Sequence, residues 1–262
     1  MDSFEKAFHE TLQALGQENL DNLIIVGGWC PYLYAQYVWK RTIPFPKTQD
    51  IDFAVRSMNP DRFSEPVYAK LIKANLVPKK IDIDDDNRTQ FNYVEGKFSV
   101  PIEFITSPKV LPKGQIPRMV PYVACDSVDE VAFALKMPPL RQEIEYKGDV
   151  LNVQITSPSA FIVVKGLLIE HRTDGKKIDK DLASIAFVLR YSPDPEEIID
   201  ELRPYYRDSS FKEFLKIMKG LFKKPTSRGF KMLESTYLSW EIPKNKIFTE
   251  VGATFESLLN KF

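Results

Sequence analysis

Apolar residues Phe4, Phe8, Leu12 and Leu15 recur at helical spacing, which predicts a helix over residues 3 to about 18 with Gly16 as its stop signal. Leu23-Ile24-Ile25-Val26 is a short β-branched run ending at Gly27-Gly28, the pattern of a buried strand feeding a tight turn. A helix from Pro31 to about Trp39 follows, with proline in its first turn, then a proline-bearing loop over 42–46. Asp50 to Val55 alternates as a second strand. Pro66 to Asn75 has a helical pattern. Lys79 to Asp84 and Gln90 to Val94 read as strands around an acidic turn, and Val100 to Ile105 as another. Prolines 108, 112, 117 and 121 make residues 107–121 loop or edge structure. Gln142 to Tyr146 and Leu151 to Ile155 flank Lys147-Gly148-Asp149, a hairpin signal.

Beyond Ile155 the periodicity becomes helical throughout. Thr156-Ser157-Pro158 is a helix start, and that helix runs to about Glu170. Further helices are predicted over Asp179 to Arg190, from Asp194-Pro195, and over Ser209 to Phe222, Arg228 to Leu238 and Phe248 to Phe262. The chain therefore divides into a mixed α/β (α+β) domain, 1–155, and a helical domain, 156–262.

Composition narrows the function classes. With 44% hydrophobic and 27% charged residues among 262, the chain is an ordinary globular protein. Lysine plus arginine equals aspartate plus glutamate, 36 each, so whole-chain charge points to no polyanionic partner. Two cysteines, Cys30 and Cys125, make neither a disulfide framework nor a zinc spacing. The first residues lack a basic segment followed by an apolar one, and the uncharged stretch 23–39 is broken by Gly27-Gly28 and Pro31 and is too short to span a bilayer. These features predict a cytoplasmic protein with no membrane segment. Two histidines, His9 and His171, leave no convincing Ser/His/Asp or Cys/His set.

Candidate chemistry begins with Asp50 and Asp52. Two apart on a strand, they face one way while Ile51 and Phe53 pack the other way, with Cα atoms roughly 7 Å apart. Such carboxylates repel each other unless a cation sits between them, and Mg2+ (or Mn2+) suits oxygen ligands with positions left for phosphates. Upstream, a strand ending in Gly27-Gly28 lets backbone N–H groups approach a phosphate without side chains in the way.

The run Ile24-Ile25-Val26-Gly27-Gly28-Trp29, followed by Thr48-Gln49-Asp50-Ile51-Asp52-Phe53, resembles the signature of the polymerase-β-like nucleotidyltransferase superfamily. The resemblance implies a short mixed sheet, a Gly-Gly turn on the triphosphate of a nucleotide, and metals on Asp50 and Asp52. It also implies a third carboxylate from a neighbouring strand. By chain order Glu103, in Pro101-Ile102-Glu103-Phe104, matches that position as metal ligand or general base, while Asp82, Asp84, Asp85 and Asp86 read as a solvated turn. Gly28 stands where many relatives carry serine, so phosphate contact there is by backbone. The Gly-Gly-Trp also resembles antibiotic-modifying nucleotidyltransferases, but Cys30-Pro31-Tyr32-Leu33 replaces the aspartate usual after the tryptophan.

The helical half carries a second match. Phe161 to Ile169 is apolar almost all round with Lys165 as its lone charge, so the lysine either snorkels to the surface or pairs with an anion, a triphosphate or a core carboxylate. The pattern Ser157-Pro158-Ser159, Lys165, Lys180-Asp181 resembles the downstream motifs of the abortive-infection (AbiEii-type) toxin nucleotidyltransferases. That resemblance implies a phosphate contact for Lys165, an accessory one for Lys180, and support of catalysis or of the lysine by Asp181. Finally, residues 203–231 hold nine lysines and arginines against two acids, and Lys212, Lys216, Lys219 and Lys223 form one helical stripe. The stripe is either a solvated face or a track for RNA phosphates. Together these features predict transfer of a nucleoside monophosphate from an NTP to an acceptor hydroxyl. The favoured acceptor is RNA, tRNA or protein, in a toxin–antitoxin or defence setting with an antitoxin partner. The alternatives are a small-molecule antibiotic acceptor or a non-catalytic nucleotide- or RNA-binding relative.

Overall fold

The computed structural model describes residues 2–43, 48–55, 67–74, 76–83, 86–108, 118–119, 123–224, 227–237 and 252–262. They group into two units: Met1–Leu33 with Phe45–Ser157, and Tyr34–Pro44 with Pro158–Phe262.

In the first unit, α1 (Ser3–Leu15) opens on a capping box. The Asp2 carboxylate accepts from the N–H groups of Phe4 and Glu5 while the Glu5 side chain accepts from the Asp2 N–H. Gly16, at φ 71°, ends α1, and the remaining expected helical residues form a separate short turn, α2 (Gln17–Leu20). A mixed sheet follows. Its strands are β1 (Leu23–Val26), β2 (Ile51–Val55), β3 (Val77–Ile83), β4 (Asp86–Glu95), β5 (Phe98–Thr106), β6 (Arg118–Met119), β7 (Val123–Ser127), β8 (Leu140–Tyr146) and β9 (Asp149–Ile155). Among the described residues the order is β3-β4-β7-β5-β2-β1-β9-β8, with β6 beside β7.

The centre of the sheet matters most. β1 runs antiparallel to β2, with Val26 opposite Asp52. β2 runs parallel to β5, with Asp52 opposite Glu103 and Phe53 opposite Phe104. On one face Phe53 and Phe104 stack, ring centroids 5.7 Å apart. The other face carries Ile24, Val26 and Ala54, covered by Val131 and Leu135 of α5 (Val131–Lys136). Pleating thus divides the central strands as their alternation predicts, and Asp52 and Glu103 belong with the α5-covered set.

Several bounds differ from expectation. Winding after β1 starts at Gly27, not Pro31: a 3-10 turn (Gly27–Trp29) leads into α3 (Cys30–Leu33) and then a π-wound stretch (Tyr34–Val38). The next helix, α4, spans Val67–Lys73. β3 and β4 extend into the acidic cluster, pairing Asp82 with Asn87 and Ile83 with Asp86; Asp84 and Asp85 lie outside the described residues. Most of the proline segment 107–121 also lies outside them, as does part of the loop 42–46. β7 and α5 have no counterpart in the sequence pattern. The β8–β9 turn is as expected, with Lys147 and Gly148 both at positive φ.

The second unit contains α6 (Pro158–His171), α7 (Gly175–Tyr191), α8 (Pro195–Leu202), α9 (Ser209–Leu221), α10 (Arg228–Tyr237) and α11 (Gly252–Asn260). Asp174, Asp194 and Asp208 cap α7, α8 and α9 by accepting backbone N–H groups. At Gly166 the α6 backbone lies so near the Phe214 ring of α9 that a Cβ would overlap it. Phe187, Phe211, Phe214 and Phe255 fill the unit's interior. No described helix is long and apolar enough to cross a membrane. Both cysteines are buried free thiols.

Candidate active site

Asp50 immediately precedes β2, Asp52 lies within it, and Glu103 lies on the adjacent β5. Each offers a carboxylate oxygen such that all three oxygens fall within 4.8 Å of one another. Asp52 is 8% exposed; Asp50 and Glu103 are half-buried. Three carboxylates this close repel strongly unless a cation neutralises them. The donor set is entirely hard oxygen, which fits a divalent ion of the Mg2+ or Mn2+ kind. Partial exposure of the outer two leaves an approach for a phosphate ligand.

The glycines are built against this cluster. Gly27 has φ 71°, in the left-handed region that favours glycine, and a Cβ on it would overlap Oδ2 of Asp52. A Cβ on Gly28 would overlap the Thr48 side chain. The turn therefore lies directly on the carboxylates, and both residues must lack a side chain for the backbone to come that near.

Two positioning residues escape the sequence pattern. Thr48 is buried and donates its hydroxyl to Oδ1 of Asp50, tying the outer aspartate down. Gln90 on β4 donates Nε2 to Oε1 of Glu103 at 3.3 Å. Thr48 stands in the same short run as the aspartates and was findable as a local hydroxyl partner. Gln90 was not, because its place depends on β4 pairing with β5.

In the second unit the structure brings together Lys165 of α6 and Asp181 of α7. Lys165 Nζ donates to Oδ1 of Asp181 at 2.8 Å, and Arg172 Nε donates to its Oδ2 at 3.1 Å. Asp181 is 2% exposed and Lys165 8%. The anion that the buried lysine requires is thus a core carboxylate, one of the two partners the sequence left open. Lys180, immediately before Asp181, is half-buried. Lys212, Lys216 and Lys219 are exposed on α9, and Lys223 is exposed just past its end; Lys216 pairs with Glu213 at 3.1 Å. His9 is buried and stacks on Tyr146, centroids 4.7 Å apart, and belongs to no metal-capable cluster among the described residues.

A family model described as "Nucleotidyltransferase" matches residues 6–204. Among solved structures, an antigenic nucleotidyltransferase-like protein from Paracoccidioides brasiliensis is similar at 14% identity and TM-score 0.39, over 83% of this chain and 94% of that one. The antibiotic-resistance factor ANT(2'')-Ia is similar at 16% identity and TM-score 0.42, over 81% of this chain and 97% of that one. No curated protein matches the chain.

Proposed function

The chain belongs to the nucleotidyltransferase family, and from that premise we propose that it is a metal-dependent enzyme moving a nucleoside monophosphate from an NTP to a hydroxyl of an RNA acceptor, with release of pyrophosphate. The observation that carries the metal-dependent reading is the Asp50, Asp52 and Glu103 cluster, packed against the Gly27-Gly28 turn. Asp50, Asp52 and Glu103 would hold the divalent ion, which when bound supplies neutralisation of triphosphate charge and acidification of the acceptor hydroxyl.

The chain's own residues do the rest. Gly27 and Gly28 offer backbone N–H groups to phosphate oxygens, and a Cβ at either position would instead displace Asp52 or Thr48. Buried Asp52 lies on β2 between β1 and β5, opposite Val26 and Glu103. Thr48 fixes the direction of Asp50, and Gln90 that of Glu103. Preorganisation of this kind is most of what a phosphoryl-transfer site contributes. Glu103, half-buried and partly exposed, serves as ligand or takes the acceptor proton.

Lys165 remains a phosphate contact in this proposal, with Asp181 holding it and Lys180 as accessory. Around buried Asp181 stand two cations, buried Lys165 and half-buried Arg172, to one carboxylate, which leaves positive charge for an anion. This pattern supports the abortive-infection-type toxin reading. The exposed stripe Lys212, Lys216, Lys219 supports RNA as acceptor.

The test is incubation of the full chain with Mg2+, total RNA and each NTP labelled in turn at the α- and the γ-phosphate. Label from the α-position should enter RNA with wild-type protein and not with Asp52→Asn. Transfer of γ-label instead would mean phosphoryl rather than nucleotidyl transfer. Absence of label from RNA under all NTPs would remove RNA as acceptor.

A further inference from the structure

A cavity of about 390 Å3 opens in the second unit against α6, α7, α9 and α10. That is within the roughly 300–1,000 Å3 of small-ligand sites. Three cations reach it from separate elements: Arg172 after α6, Lys216 on α9 and Arg228 at the start of α10. Glu170 is the single acid in its lining, so the pocket is net positive. Arg172 uses only Nε on Asp181, which leaves its terminal nitrogens to face a ligand. Arg228 is exposed, and its charge acts on the nearby Asp179 carboxylate without a direct hydrogen bond between them. Ile169, Ile178, Ile217 and Leu221 supply the apolar part of the lining. Gly220 contributes no side chain, and a Cβ there would meet nothing within 4 Å.

Cations beside an apolar wall select an anion attached to an apolar or planar body. Inorganic phosphate leaves the apolar lining unused, and a neutral ligand makes no use of the lining's excess of cations over acids, although Arg172 and Lys216 each already pair with one carboxylate, Asp181 and Glu213. We propose that this pocket binds one nucleoside monophosphate unit, its phosphate against Arg172, Lys216 and Arg228 and its base along the isoleucines. The unit is either a free mononucleotide or one residue of an RNA strand. Lys216 also belongs to the exposed lysine stripe, so a strand following the stripe would deliver a nucleotide into the pocket. That source rests on the RNA-acceptor reading; the pocket itself does not.

The test is a binding measurement on the full chain without metal, so that transfer cannot run. Adenosine monophosphate is titrated by calorimetry, and a fluorescein-labelled RNA tetranucleotide by anisotropy. At least one should bind, and inorganic phosphate should compete poorly. Gly220→Leu adds bulk at the lining and leaves every charge in place; it should weaken binding by roughly tenfold or more, while Gly220→Ala binds as wild type. Arg228→Ala should weaken binding similarly. Binding of the mononucleotide identifies a free ligand, and binding of the tetranucleotide alone identifies a unit within a chain. If no RNA is labelled in the transfer assay yet the mononucleotide binds here, RNA is lost as acceptor and the pocket stands. The proposal is overturned if neither probe binds, if Gly220→Leu binds as wild type, or if inorganic phosphate competes as well as the mononucleotide.

Discussion

Gly27 and Asp52 stand so near that a Cβ on the glycine would occupy the place of the aspartate's Oδ2. The contact follows from the β1–β2 register, which sets Val26 opposite Asp52 and so brings the next residue of the chain over the carboxylate. Gly27→Ala should therefore fail twice. Left-handed backbone at φ 71° costs an alanine about 1–2 kcal/mol, and the methyl must push Asp52 aside. We expect a lower chemical-denaturation midpoint together with loss of transfer. A variant with wild-type turnover would show that the turn does not set the Asp52 position.

Asp52→Asn separates charge from shape. Without metal the substitution relieves repulsion among three carboxylates whose oxygens lie within 4.8 Å, so thermal stability should stay level or rise. With Mn2+ present, the stabilisation that wild type gains from the ion should shrink. Transfer should fall at least about a hundredfold, since each ~1.4 kcal/mol of lost charge stabilisation is a factor of ten. Thermal melts with and without Mn2+, beside the labelled-nucleotide assay, read all three. Equal Mn2+ stabilisation in both proteins would place the ion elsewhere.

Lys165→Met removes one of two cations from Asp181, which is 2% exposed. Breaking a buried pair from one side leaves charge uncompensated, and a loss of about 3 kcal/mol is expected, with Arg172 retaining the other oxygen. Lys165→Met combined with Asp181→Leu should cost clearly less than the sum of the single changes. Urea denaturation of the four proteins gives the coupling; strict additivity would mean that the 2.8 Å contact contributes nothing to the fold.

His9 should make the first unit sensitive to acid. Burial holds its pKa below the ordinary 6.5, partly opposed by the nearby Glu5 carboxylate. Because the folded value is depressed, the unfolded chain takes up the proton more readily. Stability is full above about pH 6.5 and is lost as pH falls through the folded value. Wild type should melt a few degrees lower at about pH 5.5 than at about pH 7.5, and His9→Phe, keeping the stack on Tyr146, should lose much of that difference. An identical pH dependence in the two proteins would assign the acid sensitivity to other groups.

Periodicity marked the elements whose signals are local. The two-residue repeat in Asp50-Ile51-Asp52-Phe53 already separates carboxylates from core, because pleating alone sends alternate side chains to opposite faces. Asp194 before Pro195 marks a helix start for an equally local reason: an aspartate can satisfy the first free N–H groups of a helix wherever that helix lies. β7 and α5 were not marked. β7 is short and follows a proline-rich stretch, and α5 spans only six residues, too few for a helical repeat to show.

Glu103 differs in kind from Asp50. Chain order and family resemblance could nominate it, but nothing local to Pro101-Ile102-Glu103-Phe104 says which strand it will lie beside. Its place next to Asp52 is a property of the parallel β2–β5 register, which depends on Phe53 and Phe104 stacking in the same core. Gln90 reaches Glu103 only because β4 pairs with β5, and Arg172 reaches Asp181 only because α6 and α7 pack together. A residue's own neighbours in sequence dictate its conformation and the side it faces. Which distant residue it meets is settled by how the elements bury their apolar faces together, since a one-residue slip in register would turn Glu103 away from the aspartates.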